Sequence, residues 1–196
     1  MPPDAVILYG PPASGKDTIT VALTARDDRY VHFDRLKAGI NARAPYRVAS
    51  TGELDRLQAQ GQILYANERY GNVYAIDRPR LDELTAAGRV PVVHLGQVAG
   101  IEALHTSYPA RWVTVLLWCP REVTATRAHE RGSTDVDARL TVWDETSTDL
   151  DKDARPDLFD LVLRTDRRSP EQAADLIHRA VTDHSSGTVY PRDPMD

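Results

Sequence analysis

The chain is almost free of cysteine and has no excess of positive charge. A single cysteine, Cys119, among 196 residues excludes an intramolecular disulfide and a cysteine-based metal site. The 29 acidic residues outnumber the 24 Lys and Arg residues, and the net charge is −5. Since nucleic-acid-binding proteins usually present a basic stripe, this balance argues against a nucleic-acid partner. With no leader-like segment and no long apolar stretch, the sequence predicts a cytoplasmic protein without a membrane partner.

Lysine is also scarce, and one of only three lysines lies in a turn bracketed by glycines. Residues 6–18 read VILYGPPASGKDT, an apolar run followed by Gly-x-x-x-x-Gly-Lys and a helix-like segment. Such a loop wraps a polyphosphate with its backbone N–H groups, while the lysine neutralises the β- and γ-phosphate oxygens. The sequence therefore predicts an ATP site formed by Gly10, Pro11, Pro12, Ala13, Ser14, Gly15, Lys16, Asp17 and Thr18.

The residue after this lysine departs from the usual pattern. Asp17 stands where most such loops carry the Ser or Thr that binds magnesium, and Thr18 follows it. We predict ATP and Mg²⁺ as cofactors, with Thr18, Asp17 or a bridging water as the metal ligand. An acid that merely faces the helix macrodipole would explain Asp17, but it would not explain both glycines and the lysine.

Strand and helix signals alternate along the chain, which is typical of a parallel sheet covered on both faces. The predicted strands are 6–9, 30–33, 90–95, 112–119 and 158–163, and the predicted helices are 16–25, 79–88, 99–107, 121–131, 136–146 and 169–183. We predict a three-layer α/β P-loop fold with a five-stranded, mainly parallel sheet. It forms one domain, residues 1–183.

An inserted lobe is predicted at about residues 35–78. Ser50 and Glu53 form a capping box for a helix, and a hairpin is predicted within 62–76. The tail 184–196, rich in Ser, Gly, Pro and Asp, is predicted to be disordered.

The loop, the lobe and a later arginine-rich segment resemble the guanylate kinase family and its relatives, the ribose 1,5-bisphosphate phosphokinases. The resemblance covers nearly all of 6–181. It is carried by GPPASGKDT, YRVAS, YGNVY, AAGRVPVV and RAHERG followed by Arg139-Leu140. The Lys16-Asp17 pair is similar to the ribose-bisphosphate branch, since guanylate kinases usually carry Lys-Ser. The resemblance implies an ATP-dependent kinase that transfers the γ-phosphoryl group to a small-molecule acceptor.

The resemblance also implies residues that bind the acceptor's phosphate. Two tyrosines that bind it in guanylate kinases match Tyr46 and Tyr74. An arginine pair that grips the same phosphate has Arg35 and Lys37, or else Arg43, as its counterparts here.

The positions that read guanine in the family are altered in this chain. Its glutamate falls on Tyr65 and its Ser/Thr on Ile76, while the acidic Asp-x-Asp becomes a segment that begins at His94. A site built on hydrogen bonds to a base loses its discrimination when those partners are replaced. We therefore expect a phosphorylated sugar, or a nucleotide with an unusual base, rather than GMP. His94 lies at a strand end and is either an acceptor contact or a packed histidine.

A lid is predicted at about residues 127–139. Phosphoryl transfer develops charge on the equatorial oxygens, so it needs cations that close over the γ-phosphate. Arg127 and Arg131 are one helical turn apart, and Arg139 follows the Gly132 turn. Arg131 and Arg139 match lid arginines of the family, and Arg127 is equally well explained as an exposed helix residue.

Asp34 separates two mechanisms, because it follows a strand at the end where α/β sheets place reactive groups. A phosphate acceptor needs no general base, whereas a hydroxyl of a metabolite or an antibiotic would use a carboxylate. The sequence is compatible with Asp34 as that base and with Asp34 as a turn residue. A third possibility is a non-catalytic module that only binds nucleotide. The sequence leaves a homodimer open.

Overall fold

The computed structural model describes residues 2–39, 46–69, 71–153, 155, 157–183 and 190–195. Its strands are β1 (Asp4–Tyr9), β2 (Tyr30–His32), β3 (Leu36–Gly39), β4 (Arg47–Val48), β5 (Ile63–Arg69), β6 (Asn72–Asp77), β7 (Val90–Leu95), β8 (Arg111–Trp118) and β9 (Leu161–Arg164). Its helices are α1 (Lys16–Arg26), α2 (Thr51–Ala59), α3 (Arg78–Ala86), α4 (Val98–Ser107), α5 (Arg121–Glu130), α6 (Val136–Asp153) and α7 (Pro170–Thr182).

The main sheet has five strands in the order β2-β7-β1-β8-β9, and every pairing is parallel. Alternate side chains of β1 enter two different cores, as the twofold period of a strand requires. Ile7 and Tyr9 pack with residues of α3, α4 and α6, while Val6 and Leu8 pack with residues of α1 and α7. The predicted three-layer α/β fold with a five-stranded parallel sheet is confirmed.

The inserted lobe contains a second sheet, in the order β4-β3-β6-β5. Its β5–β6 hairpin is the predicted one, and Ser50 caps α2 by accepting a hydrogen bond from the Glu53 N–H. Leu54 and Leu57 of α2 pack on the sheet in a small core of their own. The strands β3 and β4 are not predicted from the sequence, because four and two residues are too few to show an alternating pattern.

Residues 190–195 differ from the disordered tail predicted for 184–196. Val162 donates its N–H to the Pro191 carbonyl, and Asp193 donates its N–H to the Val162 carbonyl, so this segment pairs with the edge strand β9. Its composition indicated disorder, but an open strand edge offers backbone partners that composition does not reveal. Residues 184–189 lie outside the described part of the chain.

Within the described residues, no helix combines the length and hydropathy that crossing a bilayer requires.

Candidate active site

The P-loop follows β1 at the carboxyl end of the sheet and leads directly into α1. Gly15 precedes the helix at φ 93°, in the left-handed region that favours glycine. Gly10 is fixed by close approach, since a Cβ there would lie 2.2 Å from the Leu117 carbonyl oxygen. Glycine is thus required at both positions that define the motif.

The Lys16 side chain packs against the P-loop. Its Nζ donates to the carbonyl oxygens of Gly10 at 2.7 Å and Pro11 at 2.8 Å. Burial lowers the pKa of the Lys16 ammonium to about 8. Its hydrogen-bond partners are neutral oxygens, and the Asp17 carboxylate acts on the ammonium through space without a hydrogen bond between them, so the ammonium can exchange these partners for an anion.

A cavity of about 410 Å³ lies between the P-loop, the inserted lobe and α6. Three parallel strands, β1, β2 and β7, end at its floor, and the lobe forms one wall. Its lining residues are Gly10, Pro12, Lys16, Asp17, His32, Phe33, Arg35, Tyr46, Tyr65, Asn67, Tyr74, His94, Leu95, Gly96, Gln97, Val142 and Thr146. We call it the lobe cavity.

Arg35 is a half-buried cation in the wall of the lobe cavity. Its guanidinium donates to the His94 carbonyl and, at 3.2 Å, to Asn67 Oδ1. Burial lowers the pKa of this guanidinium from its ordinary value. Both acceptors found among the described residues are neutral, and such a cation is costly to bury without a counter-charge. This is the arrangement expected of a binding group for an anionic ligand.

The structure brings the predicted Tyr46 and Tyr74 together at the lobe cavity. Their ring centroids are 5.3 Å apart in an edge-to-face arrangement. Lys37 lies behind them, with its Nζ 5.2 Å from both ring centroids and its side chain buried. Lys37 does not line the cavity, so it holds the two rings by cation–π contacts rather than reaching the ligand directly. Arg43 lies outside the described residues.

His94 ends β7 and faces the P-loop. The Thr20 hydroxyl donates to the Lys16 carbonyl at 2.8 Å, and His94 Nε2 lies 2.8 Å from the same hydroxyl. His94 Nδ1 lies 3.6 Å from Asp17 Oδ1. Burial, with the nearby His32 and cations, lowers the pKa of His94 to about 2. His94 is therefore a neutral contact in the cavity wall.

The two guanine-reading positions have different fates in the structure. Tyr65 lines the lobe cavity and its hydroxyl donates to Gln97 Oε1. Ile76 is fully buried in the main core and does not line the cavity. The prediction that Ile76 contacts the acceptor is corrected, because its aliphatic side chain packs inward from β6.

A second cavity of about 240 Å³ opens on the other side of the P-loop, beside α5 and the β9–α7 turn. We call it the arginine cavity. It is lined by Gly15, Thr18, Ile19, Arg127, Glu130, Arg131, Thr165, Arg168 and Pro170. Thr18 lies here, whereas Asp17 lines the lobe cavity, so the structure separates the two predicted metal ligands. Of the predicted alternatives for the metal ligand, Asp17 therefore faces the lobe cavity and Thr18 faces the arginine cavity.

Two of the three predicted lid arginines are engaged in other contacts. Arg127 donates to the Ala13 carbonyl at 3.0 Å and to the Thr165 carbonyl at 2.6 Å, so it ties the P-loop to the β9–α7 turn. Arg139 pairs at 2.9 Å with Asp135, the residue just before its helix α6, and lines neither cavity. Of these three arginines, Arg131 is the one whose side chain is exposed, and it lines the arginine cavity. Arg127 as a lid cation is corrected, and Arg139 lies away from the site in this conformation.

Asp34 does not line either cavity. Its Oδ1 accepts a hydrogen bond from Arg80 Nε at 3.0 Å, and Arg47 Nε lies 3.8 Å from its Oδ2. Asp77, next to this pair, accepts from Arg47 and caps α3. Because Asp34 is paired with Arg80 and lies outside both cavities, the prediction of Asp34 as general base is corrected.

Several lining residues were not identified from the sequence. Asn67 shares a face of β5 with Tyr65, two residues away, and this period could have indicated it. Thr165 follows β9 at the carboxyl end of the sheet, where ligands bind in open α/β folds. Gln97 and Arg168 lie in turns whose conformation follows from tertiary packing, and no local signal marks them. Within the described residues, no group of three or more His, Cys, Asp or Glu side chains could hold a metal.

The parallel sheet, the P-loop and the cavities on either side of that loop have the architecture of a P-loop kinase. No family model matches the chain. In sequence the chain is similar to the guanylate kinase of Symbiobacterium thermophilum, with 29% identity over 117 residues. That match covers 53% of this chain and 51% of the relative, so the chain spans about half the length of the curated relative it matches.

Solved structures agree on the fold. The guanylate kinase of Anaplasma phagocytophilum aligns with a TM-score of 0.62 at 17% identity, over 93% of this chain and 88% of that chain. A sugar kinase from a Janibacter species aligns with a TM-score of 0.53 at 18% identity, over 92% of this chain and 94% of that chain. The predicted resemblance to guanylate kinase is confirmed for the fold, and the relative and the two solved structures named here are kinases.

Proposed function

We propose that this chain is an ATP-dependent phosphotransferase that transfers the γ-phosphoryl group to a small phosphorylated acceptor. The observation that carries the proposal is the position of the P-loop between two cavities. The arginine cavity takes the nucleoside of ATP, and the lobe cavity takes the acceptor. The triphosphate then lies along the loop, with its α end at Thr18 and its γ end at Lys16 and Asp17.

On the ATP side, the residues act by positioning the triphosphate and by stabilising its negative charge. Lys16 leaves the carbonyls of Gly10 and Pro11 and binds the β- and γ-phosphate oxygens, exchanging neutral partners for anionic ones. Arg131 supplies a further cation, and Arg127 keeps the loop and the β9–α7 turn at a fixed separation. Lys16 acts on the charge that develops at the γ-phosphate during transfer.

The residues present fit a magnesium ion at Asp17. Its side chain is 86% exposed and lines the lobe cavity, and carboxylate oxygen is a ligand that Mg²⁺ prefers. Asp17 would hold the ion, directly or through water, where a Ser or Thr hydroxyl does so in most P-loops. The ion, when bound with ATP, neutralises charge on the phosphate oxygens.

The acceptor side favours an anion that is not GMP. Arg35 and Lys16 are the cations among the described lining residues, and Tyr46 and Tyr74 supply hydroxyl groups beside them. Tyr65 stands where guanylate kinases carry a base-reading glutamate. These features support a phosphorylated sugar, or a nucleotide with an unusual base, as the acceptor.

The balance of the reaction is simple for such an acceptor. An acceptor phosphate oxygen attacks the γ-phosphorus, the bond to the bridging oxygen of ADP breaks, and no proton needs to be removed. A hydroxyl acceptor would need a base, and the carboxylate predicted for that role, Asp34, is bound by Arg80. A module that only binds nucleotide would not need cations placed for charge that develops only in the transition state.

The test is a panel of acceptors with ATP and Mg²⁺, measured by ADP release. The panel contains nucleoside monophosphates, ribose 1,5-bisphosphate, other sugar phosphates and the unphosphorylated sugars as matched controls. We expect turnover with at least one phosphorylated compound and none with its unphosphorylated partner. Turnover only with unphosphorylated compounds would contradict the proposal, and ATP binding without any turnover would favour the binding module.

A further inference from the structure

Residues 190–195 form a strap that runs along the edge strand β9 of the main sheet and contacts, through Asp193, a lining residue of the arginine cavity. Residues 191–193 run parallel to β9, with Val162 N–H to the Pro191 carbonyl at 3.1 Å and Asp193 N–H to the Val162 carbonyl at 2.9 Å. Trp118 Nε1 donates to the Met195 carbonyl at 3.0 Å. The strap is thus held at both ends and covers an otherwise open strand edge.

Asp193 makes the contact that connects the strap to the arginine cavity. Its carboxylate accepts from Arg168 Nε at 2.7 Å and from Arg168 Nη2 at 2.5 Å, a bidentate pair. It also accepts from the Arg164 N–H at 2.9 Å, so one carboxylate binds both ends of the β9–α7 turn. Arg168 and the neighbouring charges hold the pKa of Asp193 below its usual range.

Arg168 is the second partner in this arrangement, and it lines the arginine cavity with Thr18 and Arg131. A free arginine side chain loses much conformational freedom when it is ordered for a ligand. The bidentate pair with Asp193 already orders the Arg168 side chain in the absence of nucleotide, so this loss of conformational freedom does not accompany binding. Arg164 is itself almost fully buried and paired with Asp166, so the turn has an anchored base from which Arg168 projects.

We propose that Asp193 is a positioning residue for nucleotide binding: through Arg168 it shapes the arginine cavity, so the strap is a part of the ATP site. The inference rests on the proposed function, since it takes the arginine cavity as the nucleoside site. It implies that ATP affinity depends on a segment more than 170 residues from the P-loop lysine, whereas acceptor affinity does not.

The test measures binding of a non-hydrolysable ATP analogue with Mg²⁺ by calorimetry, in the full chain. For Asp193→Ala we expect about a tenfold loss of affinity, for Asp193→Glu a smaller loss, and for Arg168→Ala a loss similar to that of Asp193→Ala. In the Arg168→Ala background, Asp193→Ala should have no further effect, because its partner is already absent. The matched control is Asp175→Ala, which removes another Asp–Arg pair, with Arg26, at residues that line neither cavity.

The outcomes separate the inference from the function on which it rests. If the unaltered chain does not bind the analogue, the proposed function fails. If the unaltered chain binds it and Asp193→Ala binds it equally well, or if the two substitutions add in the double variant, the inference is overturned. Should Asp193→Ala lower the thermal unfolding temperature, Asp193→Asn, which keeps the volume and one acceptor, replaces it in the same cycle.

Discussion

The two cavities beside the P-loop hold their cations in different ways. In the arginine cavity, Arg127 is bound to loop and turn carbonyls, and Arg168 is paired with a carboxylate. In the lobe cavity, Lys16 and Arg35 are bonded only to neutral oxygens among the described residues. Two arginines of the first side are therefore ordered by internal contacts, while Arg131 is exposed there. The second side has two cations, Lys16 and Arg35, without a hydrogen-bonded carboxylate, and one lining carboxylate, Asp17.

This difference indicates how each side recognises its ligand. A site with pre-paired cations gains little new charge neutralisation, so it selects by shape and fixed geometry. A site with uncompensated cations is stabilised when an anion enters it, and it loses most when a cation is removed. We therefore expect substitutions of lobe-cavity residues to change the turnover number or the acceptor KM more than substitutions of residues outside both cavities.

The largest effect is expected for Lys16→Met. This substitution keeps the side chain's approximate length but removes the ammonium that meets the γ-phosphate. We expect the turnover number to fall by about a hundredfold or more, as for loss of a group that stabilises transition-state charge. The measurement is ADP release at saturating ATP, with circular dichroism as a check on folding. Turnover within threefold of the unaltered chain would contradict the role of Lys16.

The next effect is expected for Arg35→Met, which tests the uncompensated cation. We expect the KM for the acceptor to rise about a hundredfold while the affinity for ATP stays within about twofold. Because a half-buried charge without a counter-ion is removed, the free energy of unfolding should stay the same or rise by about 1 kcal/mol.

Urea unfolding and acceptor titrations measure both quantities on the same preparation of Arg35→Met. Arg78→Met is the matched control, since Arg78 donates to the Ser107 carbonyl and lines neither cavity. A loss of stability without a change in acceptor KM would show that Arg35 is a structural group. It would contradict the inference that the cations of the lobe cavity bind the acceptor.

An intermediate effect is expected for Asp17→Asn. The amide is a weaker ligand for Mg²⁺ than a carboxylate, so half-maximal activity should require about ten times more Mg²⁺. Asp17→Ser, which introduces the residue type common at this position, should restore part of the affinity. An unchanged Mg²⁺ dependence in Asp17→Asn would exclude the carboxylate as the ligand.

The sequence predicts the fold and the P-loop well because both depend on local patterns. Gly10, Gly15 and Lys16 lie within seven residues, and the central parallel strands β1, β7 and β8 are mostly apolar segments of 6, 6 and 8 residues. The partners of charged side chains are a different matter: nothing local to Arg127 shows that Thr165 will accept its hydrogen bonds, and nothing local to Asp34 shows that Arg80 will bind it. Those contacts join residues 38 and 46 positions apart, and only the tertiary fold defines them.

The smallest effect is expected for Asp34→Asn, which tests a carboxylate outside both cavities. Asparagine keeps an oxygen acceptor for Arg80, and Asp34 is about three-quarters buried in a pair that contains no reacting group. We expect the turnover number to stay within about threefold, and the free energy of unfolding to fall by about 1 kcal/mol as a charge-assisted hydrogen bond becomes a neutral one. The measurements are ADP release and urea unfolding. A loss of about a hundredfold in turnover with unchanged stability would indicate a general base. It would move the reaction to a hydroxyl acceptor, and the lobe-cavity cations would then bind a part of the acceptor that does not react.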